Sequence, residues 1–362
     1  MDIQDLKEKL CGIDDPRRGW GNLRHKLVDI LVIALCSTLC CGEDFIDMEE
    51  FGRDREEWLR EFLELPKGIP DSDTFRRVLE RIDPGALSCC LNEWLEEERK
   101  SGRQINLDGK TICGSGNSSH KAYHVVSAWV GKNALTLGEL AVNEKSNEIT
   151  AIPELLDLID IEGDVVTSDA MGCQKEIAKK IVEKDADYVL ALKGNQTSLH
   201  DHVKLYFEKL HQKCDFETLE KGHGRIEKRE YFLEQDINWL EQKPFWAGLS
   251  AIGAVRSSIE EKGAVHCETR YFITSLTDAA AFASAVRGHW SIENQLHWVL
   301  DVVFREDASR ARKDNSPLNL NVLRKTSLSV LKRLSVGRLS LRKKMLKAAR
   351  DPLFLSRLIW EK

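Results

Sequence analysis

Three carboxylates in the sequence have the type and setting to hold a divalent cation. Asp108 follows a short extended run, Asp169 follows a second such run, and Glu293 lies in a later segment whose apolar residues have helical spacing. Magnesium prefers hard oxygen ligands, so two aspartates at strand ends and a glutamate on an approaching helix form a suitable set. Such a set suits phosphodiester hydrolysis, in which metal ions activate the nucleophile and stabilise the attacking and leaving oxygens.

The elements that would position the two aspartates alternate between strand and helix character. Strand-like runs are predicted at Gln104–Leu107, Tyr123–Val130, Leu135–Val142, Asp164–Ser168 and Tyr188–Leu192, and helices at Ile149–Ile159 and Gln174–Lys184. This alternation indicates an α/β sheet, and such sheets place functional side chains at the carboxyl ends of their strands. Asp108 and Asp169 both occupy such positions.

Residues from about 215 to 275 interrupt the alternation and predict a β-rich insertion. Its predicted strands are Ile226–Phe232, Leu249–Val255 and Thr269–Thr274. Thr277 or Asp278 can cap the helix that follows, and Ser291 can cap the next one, which carries Glu293. That last helix has one apolar stripe, and Glu293 is expected at its edge, where a helix packed on a sheet could present it to a groove.

Residues 1–100 predict a separate all-helical domain. Leu27, Ile30, Leu31, Ala34 and Leu35 recur at the spacing of an apolar helix face. A second helical block follows Pro70, with Asp71 or Ser72 as its cap.

Charge is segregated along the chain, although the net charge is −6. Residues 43–64 contain ten Asp or Glu against three Arg, whereas residues 305–350 contain fourteen Lys or Arg against three Asp or Glu. The second stretch, which overlaps a basic helical C-terminal tail predicted at 311–362, is consistent with contacts to a phosphate backbone. A solvated helical tail explains the same charge equally well.

Several classes of protein are disfavoured by the sequence. The start of the chain lacks the pattern of a signal peptide, and the longest apolar run, Ile30–Cys41, falls short of the roughly 20 residues that span a bilayer. The ten cysteines lack the paired spacing of a zinc site and are expected to be reduced. A cytoplasmic protein without a membrane span is therefore expected.

The three carboxylates lie in motifs that resemble those of the H-repeat-associated insertion-sequence transposases, a branch of the DDE transposases. These motifs are Leu107-Asp108-Gly109-Lys110, Ser168-Asp169-Ala170-Met171-Gly172 and His289-Trp290-Ser291-Ile292-Glu293-Asn294. Residues 145–149, 192–196 and 223–225, and the helical segment 24–52, are similar to the same family. The resemblance therefore covers nearly the whole chain.

The resemblance implies a ribonuclease-H-like catalytic domain at 101–310, interrupted by the β-rich insertion. It implies that Asp108, Asp169 and Glu293 are the catalytic residues and hold Mg²⁺, for which Mn²⁺ could substitute. The implied activity is hydrolysis at transposon ends, followed by transfer of the 3′ hydroxyl into target DNA. Double-stranded DNA is then the partner, the helical domain at 1–100 is expected to recognise DNA ends or contact other proteins, and a homodimer is expected when two ends are synapsed. A related nuclease without strand transfer and an inactive DNA-binding relic remain as alternatives.

Seven residues are candidates for DNA contacts, although exposed solubilising charge explains the basic ones almost as well. They are Lys110, Lys193, His223, Arg225, Arg287, His289 and Trp290. For Trp290 the expected contact is stacking on an unpaired base, whereas Trp298 is expected to pack in the core.

The last motif departs from the pattern of related DDE transposases. Those proteins carry an arginine four residues before the catalytic glutamate, a lysine seven after it and a tyrosine seven before it. Here these positions are His289, Leu300 and Val286, and Arg287 is out of register. The resemblance thus provides no basic contact at these positions.

His289, Glu293 and His297 share the spacing of a helical zinc site, but their order differs from that of metalloproteases, which disfavours zinc.

Overall fold

The computed structural model describes residues 2–17, 23–95, 102–118, 120–142, 147–209, 213–222, 224–261 and 263–360. The chain forms two compact units. Unit 1 contains Met1–Arg99, Gly109–Val142 and Glu293–Lys362, and unit 2 contains Lys100–Asp108 and Asn143–Ile292. The chain therefore passes from one unit to the other directly after Asp108 and directly before Glu293.

The described residues form nine strands and fourteen α-helices. The strands are β1 (Gln104–Thr111), β2 (His124–Val130), β3 (Leu135–Val142), β4 (Val165–Ser168), β5 (Asp187–Leu192), β6 (Phe216–Gly222), β7 (Arg225–Glu234), β8 (Ala251–Glu261) and β9 (Ala264–Thr274). The helices are α1 (Ile3–Leu10), α2 (Leu27–Leu39), α3 (Phe45–Asp54), α4 (Glu56–Leu59), α5 (Ser72–Arg81), α6 (Pro84–Leu95), α7 (Glu148–Leu158), α8 (Lys175–Glu183), α9 (Thr197–Lys209), α10 (Ala279–His289), α11 (Trp298–Val302), α12 (Ser316–Arg333), α13 (Leu341–Arg350) and α14 (Pro352–Trp360).

Unit 1 is organised around α12, which packs against α2, α5, α6 and β3. Residues Leu320, Leu323, Leu328 and Leu331 of α12 are buried, and so are polar residues on its other faces. Several of those polar groups find partners: for example, the Asn319 side-chain amide donates to the main-chain oxygens of Leu79 and Ile82, at 2.8 and 3.0 Å. Such hydrogen bonds offset part of the cost of burying polar groups.

Local capping signals fix the ends of several helices in the N-terminal part of unit 1. The Asp44 carboxylate accepts from the main-chain nitrogens of Ile46 and Asp47, and Asp47 completes a capping box at the start of α3. The Asp71 side chain accepts from the nitrogen of Thr74 at the start of α5, so Asp71, one of the two residues that the sequence offered, is the cap. Within residues 2–17 and 23–95 the elements are all helical, apart from an isolated bridge between Pro66 and Gly68.

Unit 2 contains a mixed sheet with the strand order β1-β4-β5-β9-β8-β7-β6. Strands β1, β4 and β5 are parallel, whereas β9 joins β5 in antiparallel fashion and β8, β7 and β6 continue antiparallel. Helix α10, capped by Asp278, packs on this sheet through Phe282 and Val286. Gly253 of β8 allows the close packing, since a Cβ there would lie 2.3 Å from the Phe282 ring.

The mixed α/β architecture predicted from the sequence is confirmed, with three differences in detail. Strand β1 continues to Thr111 instead of ending before Asp108. Helix α9 and strand β6 were not predicted, because their apolar residues are few and both are largely exposed. The strands of the β-rich segment extend the sheet of unit 2, so they do not form a sheet of their own.

The basic segment 305–350 is less exposed than its composition suggested. Most of α12 is buried, and the Arg324, Lys325 and Lys344 side chains make contacts inside unit 1. The exposed basic residues of this segment are divided between α13 and the residues outside it: Arg342, Lys343, Lys347 and Arg350 in the helix, and Arg305, Arg310, Lys313 and Arg338 elsewhere.

None of the ten cysteines forms a disulfide. Among the described residues, no helix has the length and apolar character needed to cross a membrane.

Candidate metal centre and DNA-contacting residues

Asp108 and Asp169 occupy equivalent positions on adjacent parallel strands of unit 2. The register between β1 and β4 ends with the pair Leu107 and Ser168, and each aspartate is the next residue of its chain segment. The sequence separates these aspartates widely, but parallel pairing brings their strand positions side by side. The structure thus places the chain positions of these two aspartates, which the sequence proposed as metal ligands, next to the last paired residues of two adjacent strands.

The loop after β4 holds the Asp169 carboxylate in a defined orientation. Its Oδ1 atom accepts from the main-chain nitrogens of Met171 and Gly172, at 2.9 and 3.4 Å. Gly172 is required by this loop, because a Cβ there would lie 2.0 Å from the Ser168 hydroxyl. The Ser-Asp-Ala-Met-Gly motif therefore has a structural meaning: it folds a tight turn that orients one carboxylate.

A second motif braces the same loop from the end of β5. The Asn195 side-chain amide donates to the main-chain oxygen of Ala170 at 2.6 Å, and that of Gln196 donates to the oxygen of Cys173 at 3.0 Å. The sequence singled out residues 192–196 only by resemblance and assigned no role to these amides. Two side-chain amides directly after a strand are the one sequence signal for this role. The sequence does not show that the loop after β4 is their hydrogen-bond partner.

Five polar side chains form a hydrogen-bonded set in unit 2, which we call the neutral network: Gln104, Asn106, Thr167, His289 and Ser291. The Asn106 amide donates to the Ser291 hydroxyl at 3.2 Å, and its Oδ1 accepts from the Thr167 hydroxyl at 2.8 Å. The Thr167 oxygen lies 2.8 Å from Nδ1 of His289. Burial lowers the pKa of His289 to about 4, so its imidazole is neutral at pH 7.

Glu293 begins a π-helical turn, Glu293–His297, that follows Ser291 and Ile292. The Glu293 side chain is exposed, whereas His297 is buried with its Nδ1 atom 3.6 Å from the Glu293 carboxylate. Burial, together with the positive charges of Lys325 and Lys110, lowers the pKa of His297 to about 3. π-Helical turns are rare and often occur at functional sites, and apolar periodicity does not predict them.

Lys110 belongs to a second set of polar side chains, in unit 1, which we call the ionic cluster: Lys110, Asp301, Glu306, Asn321 and Arg324. Its last three members are buried. The Lys110 ammonium lies 2.7 Å from the Asp301 carboxylate and 3.1 Å from that of Glu306. Although burial opposes it, these carboxylates raise the pKa of Lys110. Glu306 is fully buried, accepts from Asn321 at 2.8 Å and lies 3.5 Å from Arg324. The ammonium of Lys110 is thus engaged within the protein, which disfavours the predicted phosphate contact.

The other candidate DNA contacts have different settings. Lys193 and Arg225 are exposed. Arg287 forms a bidentate contact with Glu220, at 3.1 and 3.0 Å. His223 lies outside the described residues. Lys193 and Arg225 therefore have the most accessible charge among the basic candidates that the structure describes.

Trp290 and Trp298, the two tryptophans near Glu293, are both exposed, although only Trp290 was expected to be. Trp290 is 41% exposed, and the Arg270 guanidinium lies 4.8 Å from the centroid of its ring. Trp298 is 55% exposed, so the prediction that it packs in the core is wrong. Trp298 is six residues beyond Ile292, about 240° round a regular helix, so helical geometry by itself already places it away from the buried stripe of that helix.

Two family profiles match the chain. The profile described as "Transposase DDE domain" matches residues 96–329, and the one described as "DDE_Tnp_1-associated" matches residues 7–95. The first covers more than half of the chain and includes Asp108, Asp169 and Glu293. The chain therefore belongs to the transposases with a DDE domain.

Relatives refine this assignment. The chain is 37% identical over 373 residues to the "H repeat-associated putative transposase YhhI" of Escherichia coli (strain K12), with 98% of each chain covered. It is 40% identical over 349 residues to the "Putative transposase YncI" of Escherichia coli O157:H7, covering 92% of this chain and 88% of the relative. The resemblance to the H-repeat-associated branch is confirmed. Among solved structures, a piggyBac transposase synaptic complex with hairpin DNA matches with a TM-score of 0.41 and 10% identity, covering 98% of this chain and 78% of that one.

Proposed function

We propose that this protein is a DNA transposase whose Asp108, Asp169 and Glu293 side chains together hold a divalent cation. The reaction is hydrolysis of a phosphodiester bond at a transposon end, followed by attack of the freed 3′ hydroxyl on target DNA. Family membership supports the class of reaction, and the geometry of unit 2 supports the choice of residues. The catalytic domain would have a ribonuclease-H-like fold, and double-stranded DNA would be the substrate.

One observation carries the choice of residues. Three members of the neutral network each stand two residues before one of the three carboxylates: Asn106 before Asp108, Thr167 before Asp169, and Ser291 before Glu293. Asn106 binds the other two directly. Since residues two apart in the chain are separated by at most about 7 Å, this hydrogen-bonded set keeps the origins of all three carboxylates close together.

The donor set fits magnesium. Asp108 and Asp169 offer hard carboxylate oxygens on a rigid sheet, and the Asp169 loop orients its carboxylate through main-chain hydrogen bonds. Magnesium retains several waters and is commonly held by only a few carboxylates. When bound, the cation activates the nucleophile and stabilises charge on the leaving oxygen. Manganese, with similar ligand preferences, could substitute for it.

The remaining residues would bind and orient the DNA. Lys193 and Arg225 would contact phosphates through their exposed charges, and Trp290 would stack on an unpaired base through the ring surface that stays exposed. Arg287 would contribute only if its pair with Glu220 opens. Transposition brings two DNA ends together, and we therefore propose that the protein acts as a homodimer on DNA. The ten free cysteines are consistent with action in the cytoplasm.

The test uses purified protein and labelled DNA from the ends that flank its own gene, with Mg²⁺ present. We expect nicks at the boundary of the element and joining of the cut strand to a target plasmid. Asp108→Asn, Asp169→Asn and Glu293→Gln should each abolish cleavage but retain DNA binding in Ca²⁺, because each removes a metal ligand and no backbone contact.

The matched control is Glu176→Gln, which removes an exposed carboxylate from the first turn of α8. It should cleave like the unmodified protein. Near-normal cleavage by any of the three site variants would refute the assignment of that residue. Cleavage at the boundary without joining would instead indicate a nuclease that lacks strand transfer.

A further inference from the structure

The hydrogen bonds of the neutral network have only one consistent direction. The Gln104 side-chain nitrogen Nε2 lies 2.7 Å from the main-chain oxygen of Ala285 and 2.8 Å from Oδ1 of Asn106. A main-chain oxygen can only accept, so the amide of Gln104 must face it with its nitrogen. The same nitrogen then donates to Asn106, which makes Oδ1 of Asn106 an acceptor.

This direction continues to His289. Since Oδ1 of Asn106 accepts, the Thr167 hydroxyl donates its single proton to it, at 2.8 Å. The Thr167 oxygen must therefore accept from its other neighbour, Nδ1 of His289, at 2.8 Å. The hydrogen-bond partners thus place the proton of the neutral imidazole on Nδ1 and leave Nε2 as an acceptor. Burial disfavours a second proton on the ring.

Close packing between α10 and β1 is built for this network. Gly288 precedes His289 at the end of α10, and a Cβ at this position would lie 2.1 Å from Oε1 of Gln104. The glycine therefore lets the end of the helix approach the strand closely enough for Gln104 to reach Ala285. Asn106 and Thr167 are both 1% exposed, so water does not compete for their hydrogen bonds.

We infer that the neutral network is a positioning device: it sets the spacing of the three carboxylates and locks His289 as the Nδ1-protonated tautomer. This inference rests on the proposed function for its catalytic meaning. His289 stands where related transposases carry an arginine, but in this state it has no charge and no Nε2 proton. It would act toward DNA as a hydrogen-bond acceptor and would not grip a phosphate as a cation does.

The first test replaces the Thr167 hydroxyl. Thr167→Val keeps the shape of the side chain and removes both of its hydrogen bonds, whereas Thr167→Ser keeps the hydroxyl. We expect Thr167→Val to raise the Mg²⁺ concentration for half-maximal cleavage by about tenfold to a hundredfold, as is usual when a group that orients a metal ligand is removed. DNA affinity in Ca²⁺ should be unchanged, and Thr167→Ser should stay close to the unmodified protein.

The matched control is Thr274→Val in the same unit. The Thr274 hydroxyl is fully buried and donates to the main-chain oxygen of Tyr188 at 2.7 Å, outside the neutral network. Its loss should reduce stability to a similar degree without changing the metal requirement. An equal rise in metal requirement for both valine variants, or no rise for Thr167→Val, would overturn the positioning role.

The second test is independent of cleavage. Nitrogen-15 NMR of the full chain, with His289→Asn used to assign the signal, reports which ring nitrogen carries the proton. We expect a protonated Nδ1 and a bare Nε2 at pH 7, and loss of this preference in Thr167→Val. A proton on Nε2 in the unmodified protein would overturn the tautomer lock. Absence of cleavage by the unmodified protein would count against the proposed function, and the tautomer measurement would still decide the lock.

Discussion

Asp108 stands on β1 two residues after Asn106 and two residues before Lys110, which belong to two polar systems of opposite character. Side chains two apart on a strand share one face, so Asn106, Asp108 and Lys110 all project to the same side of β1. Asn106 belongs to the neutral network of unit 2, whereas Lys110 belongs to the ionic cluster of unit 1. Asp108, the proposed metal ligand, is thus preceded on β1 by a residue held by neutral hydrogen bonds and followed by a residue held by ion pairs.

The two systems should respond differently to the loss of a member. In the neutral network each group only needs a partner, and losing one leaves a buried donor or acceptor unsatisfied. In the ionic cluster, Glu306 is fully buried near two cations, and removing it leaves those charges uncompensated. Loss of a member should therefore destabilise the protein more in the ionic cluster than in the neutral network. The neutral network is distinguished instead by hydrogen bonds that have only one consistent donor-to-acceptor direction.

The largest effect on folding is expected for Glu306→Gln. It removes the negative charge shared by Lys110 and Arg324, and should lower the free energy of unfolding by about 3–5 kcal/mol in urea titrations. Glu268→Gln breaks an exposed pair with Arg270 and should change stability by less than about 1 kcal/mol. Equal effects for the two variants would show that the cluster is not a buried ionic system.

A smaller effect is expected for Asn106→Leu in the neutral network. The variant keeps the branched outline of the side chain but deprives Gln104, Thr167 and Ser291 of their common partner. Stability should fall by about 1–3 kcal/mol, measured by the same urea titrations. A decrease as large as that of Glu306→Gln would contradict the contrast between the two systems.

The pH dependence of stability should distinguish His289 from an ordinary histidine. Its pKa of about 4 in the folded protein lies below the ordinary value of 6.5, so the unfolded chain takes up a proton first as pH falls. The stability associated with neutral His289 is complete above pH 6.5 and is lost as pH falls toward 4. Relative to His289→Asn, the unmodified protein should lose roughly 1.4 kcal/mol per pH unit in that window.

The smallest effect on folding is expected for charge removal from α13. Arg342, Lys343 and Lys347 are exposed, and changing all three to Gln should leave stability within about 0.5 kcal/mol. If these side chains bind phosphates of duplex DNA, the slope of log affinity against log salt should decrease in magnitude by about 0.9 for every phosphate that is no longer bound. Unchanged affinity and slope would exclude a DNA-binding role for these three residues.

Lys344 has to be left out of that variant. Its ammonium donates to the main-chain oxygens of Leu331 and Leu334, both at 2.7 Å, so Lys344→Gln should destabilise unit 1. A combined variant that included it would confuse loss of folding with loss of DNA binding. Lys343 and Lys344 are adjacent in the sequence, and only the structure distinguishes them.

How well each feature could be predicted from the sequence depends on how far apart in the chain its interacting residues are. Strands β4 and β5 and the cap at Asp71 were predicted because their signals are local: apolar runs, and a polar residue before a helix. The π-helical turn at Glu293 was missed because it adds no change in residue type that periodicity could detect.

The neutral network and the ionic cluster could not be predicted from the sequence either. Asn106 and Thr167 are 61 residues apart, and Thr167 and His289 are 122 residues apart. Nothing local to an asparagine or a threonine in a strand indicates a partner at that distance. Lys110 was predicted to bind DNA because a lysine beside a catalytic motif suggests a phosphate. Its carboxylate partners, Asp301 and Glu306, lie far along the chain and became evident only in the fold.

The position of the metal itself tests the proposed centre most directly. Crystals of the protein with DNA from its own element, grown in Mn²⁺ and measured for anomalous scattering, would locate the ion. We predict an anomalous peak within coordination distance of carboxylate oxygens from Asp108, Asp169 and Glu293, and its loss in Asp169→Asn. A peak bound by other residues, or retention of the same peak in Asp169→Asn, would contradict the proposed metal centre.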